Sequence, residues 1–388
     1  MPLASDAHGS FDSRFESLVA LFASQGPENP AGGSSLAVFI DGKPVVNVWQ
    51  GESKPGQAWA QDTISTVFSC TKGIISILIA RLVEQGLLEL ESPVAKYWPE
   101  FAQTGKGEIK VKTLLQHRAG LSAPRRDLTR AELLDGHSVA DALAAQEPLW
   151  MPDSNYGYHA LTFGHLISKL IHSVTGLTAN EYHQRHVTKP LSADMWIGLP
   201  DEQLARVAPL ISDGNFNSAK PEPGTDQYWI EKAMTLGGAL PTNPTDPGGF
   251  NDPEVISIEL AGAGGITNAY GLAKIYSAAV TETDGIRLLN DATIEQAIKP
   301  ASFGMNVWHE PAPHPVWGNG FMLAAPPHFE IPGGKGFGHN GLGGQAGWAS
   351  LENRIGFGYT TSYLRNDAET QKHQQDLVKK LNEILLVD

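Results

Sequence analysis

Ser69 and Lys72 stand three residues apart at the head of FSCTKGIISILIARLVEQG, Phe68 to Gly86, an apolar run that opens on serine, cysteine, threonine and lysine. Residues i and i+3 share one helix face, so the lysine amine can reach the serine oxygen. A serine hydroxyl is a weak nucleophile until a neighbour removes its proton. An amine does this only when neutral, and its reference pKa of about 10.4 falls where burial and positive potential disfavour the ammonium. Ile74, Ile75, Ile77, Leu78, Ile79, Leu82 and Val83 are apolar nearly all round the helix, which predicts a buried helix with a desolvated start. The partial positive charge of the helix N-terminus favours an alkoxide at Ser69 and a neutral Lys72. The pair thus reads as the nucleophile and base of a covalent hydrolase. A capping serine beside a solvated lysine has the same pattern. Two facts favour chemistry: no other serine has a lysine at this spacing, and a buried lysine without a function is costly.

Further groups are needed, and two stretches offer them. In NYGYHALTFGHLISKL, a loop running into a helix, the phenol of Tyr158 could take the serine proton or pass one to a leaving group. GKGFGHNGLGGQAGWAS has six glycines from Gly334 to Gly344 and then alternates like a strand. Glycine lets backbone approach a ligand closely, so a strand edge here could supply an oxyanion-hole N–H.

The elements that must position these groups follow from periodicity. Phe11 to Ala23 has helical spacing and is stopped at Gly26 and Pro27. SSLAVFIDGKPVVNVWQG predicts a hairpin turning at Asp41-Gly42. Helices are expected at Leu114 to His117, Ser138 to Ala145, Leu161 to Val174 with Gly176 as C-cap, and Asn268 to Thr281. Residues 198 to 260 are rich in Pro, Gly, Asn and Asp and suggest long loops around short helices. Strands return in FMLAA, GGQAGWASL and RIGFGYTTSYL, and an amphipathic helix closes the chain from Gln371 to Leu386. Strands at both ends with helices between predict an α+β fold: an antiparallel sheet built from both termini and flanked by helices, with a mainly helical region inserted. The expected units are 1–62 with 262–388, and 63–261, with the site in the cleft between them.

Bulk composition narrows the function. The 388 residues are 41% hydrophobic and 18% charged, with 42 acidic against 28 basic side chains and a net charge of −14. That balance repels a phosphate backbone, so nucleic acid is not an expected partner. Met1 to Leu18 has no basic stretch followed by an apolar one, and Ile74 to Ala80 is far shorter than the roughly 20 residues a membrane span takes, so a cytoplasmic protein with no membrane partner is expected. The single cysteine, Cys70, permits no internal disulfide and is read as a packing residue. No Gly-x-Ser-x-Gly elbow occurs. Gly336 to Gly341 matches Gly-x-Gly-x-x-Gly outside any βαβ unit, so dinucleotide binding is set aside. His309, His314 and His328 lack metal-ligand spacing, and neither a metal nor any other cofactor is expected. Trp308, Trp317 and Trp348 are candidates for a pocket wall, and His117 for a loop support.

Phe68-Ser69-Cys70-Thr71-Lys72-Gly73 resembles the nucleophile motif of the serine β-lactamase and penicillin-binding superfamily. With LLQHRAGL at Leu114 to Leu121, YHALTFGHL at Tyr158 to Leu166 and GHNGLGG at Gly338 to Gly344, the chain resembles the family VIII carboxylesterases over about residues 11 to 386. The resemblance implies a β-lactamase/transpeptidase-like fold, an acyl-enzyme on Ser69, and Lys72 and Tyr158 as acid/base pair. It also implies an oxyanion hole of the Ser69 and Leu342 backbone N–H groups, and substrate contacts at His339, Asn340 and Gly341. Two departures bear on substrate: Ala160 stands where β-lactamases carry an amide-bearing asparagine, and His339 where they carry a lysine. Both point to neutral small-molecule esters of short to medium acyl chain. The alternatives are a β-lactamase or D-Ala-D-Ala peptidase, and a non-catalytic binding protein on the same fold.

Overall fold

Asp41 and Gly42 both take positive φ, 50° and 77°, the turn whose twist matches that of two antiparallel strands. In the computed structural model, which describes residues 7–26, 32–212, 216, 220–365 and 367–386, this turn joins the expected hairpin at the middle of a nine-stranded sheet. The strands are β1 (His8–Phe11), β2 (Gly33–Ile40), β3 (Lys43–Lys54), β4 (Gln57–Ala58), β5 (Val316–Trp317), β6 (Met322–Leu323), β7 (Gly336–Asn340), β8 (Ala346–Ser350) and β9 (Ile355–Thr361). Their order is β1-β3-β2-β9-β8-β7-β6-β5, with β4 beside β3. β2 pairs antiparallel with β9 from Ser34–Thr361 to Ile40–Ile355, so the two chain ends form one sheet, as the sequence predicts.

Five helices complete the part of the fold that matters for the site: α1 (Glu16–Ser24), α2 (Cys70–Glu84), α3 (Thr162–Thr175), α4 (Ala269–Val280) and α5 (Asp367–Leu385). One sheet face buries Val38, Val46, Trp348 and Phe357 against Phe15, Leu18, Phe22, Leu377 and Leu381 of the N- and C-terminal helical segments. The other face is lined by small residues. Cβ atoms added at Gly347, Gly356 and Gly358 would collide with Leu272, Ala273 and Ala269 of α4, which is how that helix lies so close to the strands. Beyond it, α2 and α3 share the largest core cluster with Phe337 and Ala349 of the sheet. Burial of each Leu or Ile side chain contributes about 1.5–3 kcal/mol.

Three expectations shift. The N-terminal helix begins later than Phe11, because Phe11 closes β1 opposite Val46, Asp12 caps a short turn by accepting from the Arg14 N–H, and α1 starts at Glu16. The helix expected at Leu114 to His117 runs instead from Val111 to Leu115, and His117 itself takes φ 59°, which no helix continues through. The closing helix starts at Asp367, before Gln371. Ser138–Ala145 forms as expected, and residues 198–260 hold short helices at Asp226–Thr235 and Pro253–Ser257. Among the described residues no helix is long and apolar enough to cross a membrane.

Candidate active site

Ser69 is the N-cap of α2, yet its side chain makes no capping bond and its hydroxyl is free for other partners. The residue before it, Phe68, takes φ 43°, a conformation that costs an L-residue about 1–2 kcal/mol. It is held there by its ring, 4.9 Å from that of Phe250, and by a bridge to Gly264. Thr71 adds a second tie, accepting the Gly265 N–H at 2.8 Å. The start of α2 is thus fixed against the 260–265 segment.

Lys72, one turn along, is fully buried. Its Nζ lies 3.0 Å from Ser69 Oγ and 2.6 Å from the Gly262 carbonyl. The tight pass that brings this carbonyl in depends on two glycines, since a Cβ on Gly164 of α3 would stand 1.9 Å from Gly262 N. Burial holds the Lys72 amine well below its ordinary range. Tyr158 Oη donates to Ser69 Oγ at 2.8 Å, and its ring centroid lies 4.9 Å from Lys72 Nζ. Burial raises its phenol pKa above the usual range, partly offset by the bond to Ser69. The structure therefore brings Ser69, Lys72 and Tyr158 together, with a deprotonation-prone amine and a protonated phenol on the same oxygen.

β7 runs beside the start of α2. Cys70 Sγ donates to the His339 carbonyl at 3.2 Å, and Gly341 passes so close to Val67 that a Cβ would lie 2.4 Å from its carbonyl oxygen. Cys70 is buried, and burial raises its thiol pKa far above the usual range, as suits a packing residue. The Gly341 N–H donates to Gln345 O at 2.7 Å, while among the described residues no acceptor is found for the Leu342 or Ser69 N–H.

The triplet His339-Asn340-Gly341 does not act as one surface. Strand alternation separates its first two members. His339 pairs with Gly347 on the α4 face, and its ring lies 6.0 Å from Tyr158 and 5.3 Å from Trp317. Asn340 pairs with Ala346 and borders a small cavity with Trp348, Phe357 and Gln374 under α5. Asn340 thus lies with its side chain on the sheet face opposite to that of His339. His339 is buried, and burial followed by the nearby Lys72 pushes its pKa down to about 3, so the ring is neutral.

Ala160 sits in an apolar cluster with Ala123 and Ala233, packed by Leu149, Tyr158 and Trp229. Trp317 stacks on Tyr158 at 5.4 Å, whereas Trp348 stacks on Phe357 in the core, away from Ser69. Trp308 stands against Trp150 and Trp229. The Gly262 carbonyl is the participant that residue types did not reveal, because a backbone atom leaves no signature of its own.

The sequence profile of a family described as Beta-lactamase matches residues 11–380. The esterase/beta-lactamase LipL of Mycobacterium tuberculosis is 32% identical over 374 residues, covering 90% of this chain and 81% of that protein. Among solved structures, a family VIII carboxylesterase superposes with a TM-score of 0.86 at 27% identity, covering 98% of this chain and 100% of its own. A penicillin-binding protein homologue from Caulobacter crescentus superposes with a TM-score of 0.84 at 30% identity, over 98% and 100% of the two chains. Motifs, fold and a profile match over nearly the whole length agree: the chain belongs to the beta-lactamase family.

Proposed function

We propose that the protein is a serine carboxylesterase that hydrolyses neutral esters of short to medium acyl chain through an acyl-enzyme on Ser69. The observation that carries this reading is the pair of contacts on one hydroxyl, Lys72 at 3.0 Å and Tyr158 at 2.8 Å, with the amine depressed and the phenol raised by burial. Ser69 Oγ attacks the ester carbonyl as its proton passes to neutral Lys72. The oxyanion takes the Ser69 and Leu342 N–H groups. The bond to the alcohol oxygen then breaks, Tyr158 protonates the leaving alkoxide, and the proton held by Lys72 restores the phenol. Water repeats the sequence on the acyl-enzyme, releasing the acid and restoring Ser69. No metal or cofactor takes part in these steps.

The acyl-enzyme would form where two units meet, residues 63–261 carrying Ser69, Lys72 and Tyr158, and 1–62 with 262–388 carrying His339 and Leu342. Neutral substrates are favoured because the buried, uncharged His339 offers no cation to a carboxylate, and Ala160 offers no amide. LipL, named an esterase/beta-lactamase, and a family VIII carboxylesterase support the ester reading. A cytoplasmic place of work belongs to the same reading, since the one cysteine is buried and unpaired. The test is kcat/KM on p-nitrophenyl butyrate and on nitrocefin with one enzyme preparation. The ester is expected to be turned over much faster; a faster lactam would move the assignment to β-lactamase or peptidase chemistry.

A further inference from the structure

Two buried histidines that the reaction does not consume enclose Tyr158 from both sides along the chain. His117 is fully buried, with φ 59°. Its carbonyl accepts the Gly157 N–H at 3.1 Å, and its Nδ1 accepts the His159 N–H at 3.3 Å. Its ring stands edge-on to Tyr158 at 5.2 Å between centroids. His159 returns the tie: its Nε2 accepts the Leu121 N–H at 3.1 Å and its Nδ1 donates to the Gly157 carbonyl at 2.7 Å. The residues before and after Tyr158 are therefore both bonded to the 117–121 loop, and the partners assign the protons, to Nε2 on His117 and to Nδ1 on His159. Each ring accepts from a backbone N–H and must be neutral to do so. Burial keeps them neutral, holding His159 down at about 4 and His117 well below its ordinary range.

We propose that His117 is a positioning residue for Tyr158: its backbone carbonyl holds the Gly157 side and its imidazole the His159 side, and the imidazole bond keeps the phenol in reach of Ser69. The proposal rests on the reading of Tyr158 as the proton donor. Phe, Leu or any side chain lacking an acceptor at the Nδ1 position would strand the His159 N–H in a dry interior and let the tyrosine drift. A shift of about 1 Å at a reacting group can cost 10²-fold in rate. Asparagine is the conservative replacement, since its oxygen takes the Nδ1 place and it tolerates positive φ better than most residues.

The test is a cycle of His117→Leu and His117→Asn in the wild type and in Tyr158→Phe, each assayed for kcat and KM on p-nitrophenyl butyrate after its thermal unfolding has been checked. His117→Leu is expected to lower kcat by about 10- to 100-fold with KM changed less than about three-fold, and His117→Asn to stay within about five-fold of wild type. In the Tyr158→Phe background His117→Leu is expected to cost less than about two-fold, because the hydroxyl it positions is gone. An equal loss in both backgrounds would overturn the proposal and leave His117 a plain stabilising residue. A Tyr158→Phe enzyme as fast as wild type would instead overturn the role of Tyr158 itself. If the leucine variant does not fold, His117→Gln replaces it, and a glutamine variant as fast as the asparagine one sinks the proposal.

Discussion

Lys72 and Lys106 both have side chains closed to solvent, and among the described residues neither forms an ion pair, yet they differ in the acceptors that meet the amine and in the Glu147 carboxylate near Lys106. Lys106 points its amine at three oxygens, the Gln103 carbonyl at 2.9 Å, the Thr104 hydroxyl and the Gln146 carbonyl. Three N–H bonds meet three acceptors, and burial lowers its pKa to about 8 against the nearby Glu147 carboxylate, which raises it. Lys72 has the Gly262 carbonyl and the Ser69 hydroxyl, which has a proton of its own to give. An ammonium there leaves an N–H unmatched in a dry site, so the neutral amine is favoured. Burial lowers both amines, Lys72 the further, and only Lys106 has a carboxylate near enough to offset it; the hydroxyl that meets the more depressed amine is the nucleophile.

Four experiments test the difference between the two lysines and the site built on one of them. Lys72→Met is expected to lower kcat on p-nitrophenyl butyrate by three orders of magnitude or more; a loss below about ten-fold would show that Ser69 is activated by another group. Tyr158→Phe is expected to cost about 10²- to 10³-fold in kcat, read most clearly with poor leaving groups, where protonation of the departing alkoxide matters most. A uniform loss across good and poor leaving groups would contradict a donor role.

The third concerns pH. Burial lowers His159 and His165 to about 4 and His183 and His339 to about 3. The unfolded chain takes up protons at these sites from about pH 6.5 downward, the folded chain only near 4 or below. Their contribution is therefore complete above pH 6.5 and is lost as the pH falls toward 4, by up to about 1.4 kcal/mol per histidine per pH unit. Thermal unfolding midpoints from pH 7.5 to 4.5 should fall steeply across that window, and a flat profile would mean that these rings are hydrated. The smallest effect on rate belongs to Lys106→Met. It leaves carbonyls unpaired and should cost about 1–3 kcal/mol in chemical denaturation, while the folded variant keeps kcat within about two-fold. A large rate loss there would erase the distinction between the two lysines.

What the chain discloses before folding depends on how its chemistry is encoded. Ser69 and Lys72 are legible because a spacing of three within one continuous helix survives folding unchanged. Tyr158 is legible only through its neighbours and the motif they make. The Gly262 carbonyl, 190 positions from Lys72, is not legible, because it is a backbone atom brought in by the close pass of Gly164 and Gly262. The placement of Asn340 is hidden for the opposite reason: adjacency in a motif groups it with His339, and a strand sends adjacent side chains to opposite faces. The sheet itself was readable from its hairpin and C-terminal strands. β1 was not, since HGSF is exposed throughout and has no alternating pattern to betray a strand.

Every role proposed for the site follows from an acyl group carried on Ser69. The direct measurement is the initial rate of p-nitrophenyl butyrate hydrolysis by wild type and Ser69→Ala purified side by side, with intact mass recorded during turnover. Acylation of Ser69 requires a clear wild-type rate, a butyryl adduct on the wild-type chain only, and a fall of several orders of magnitude in the variant. Equal rates in the two proteins would contradict it and reduce FSCTKG to the start of a helix.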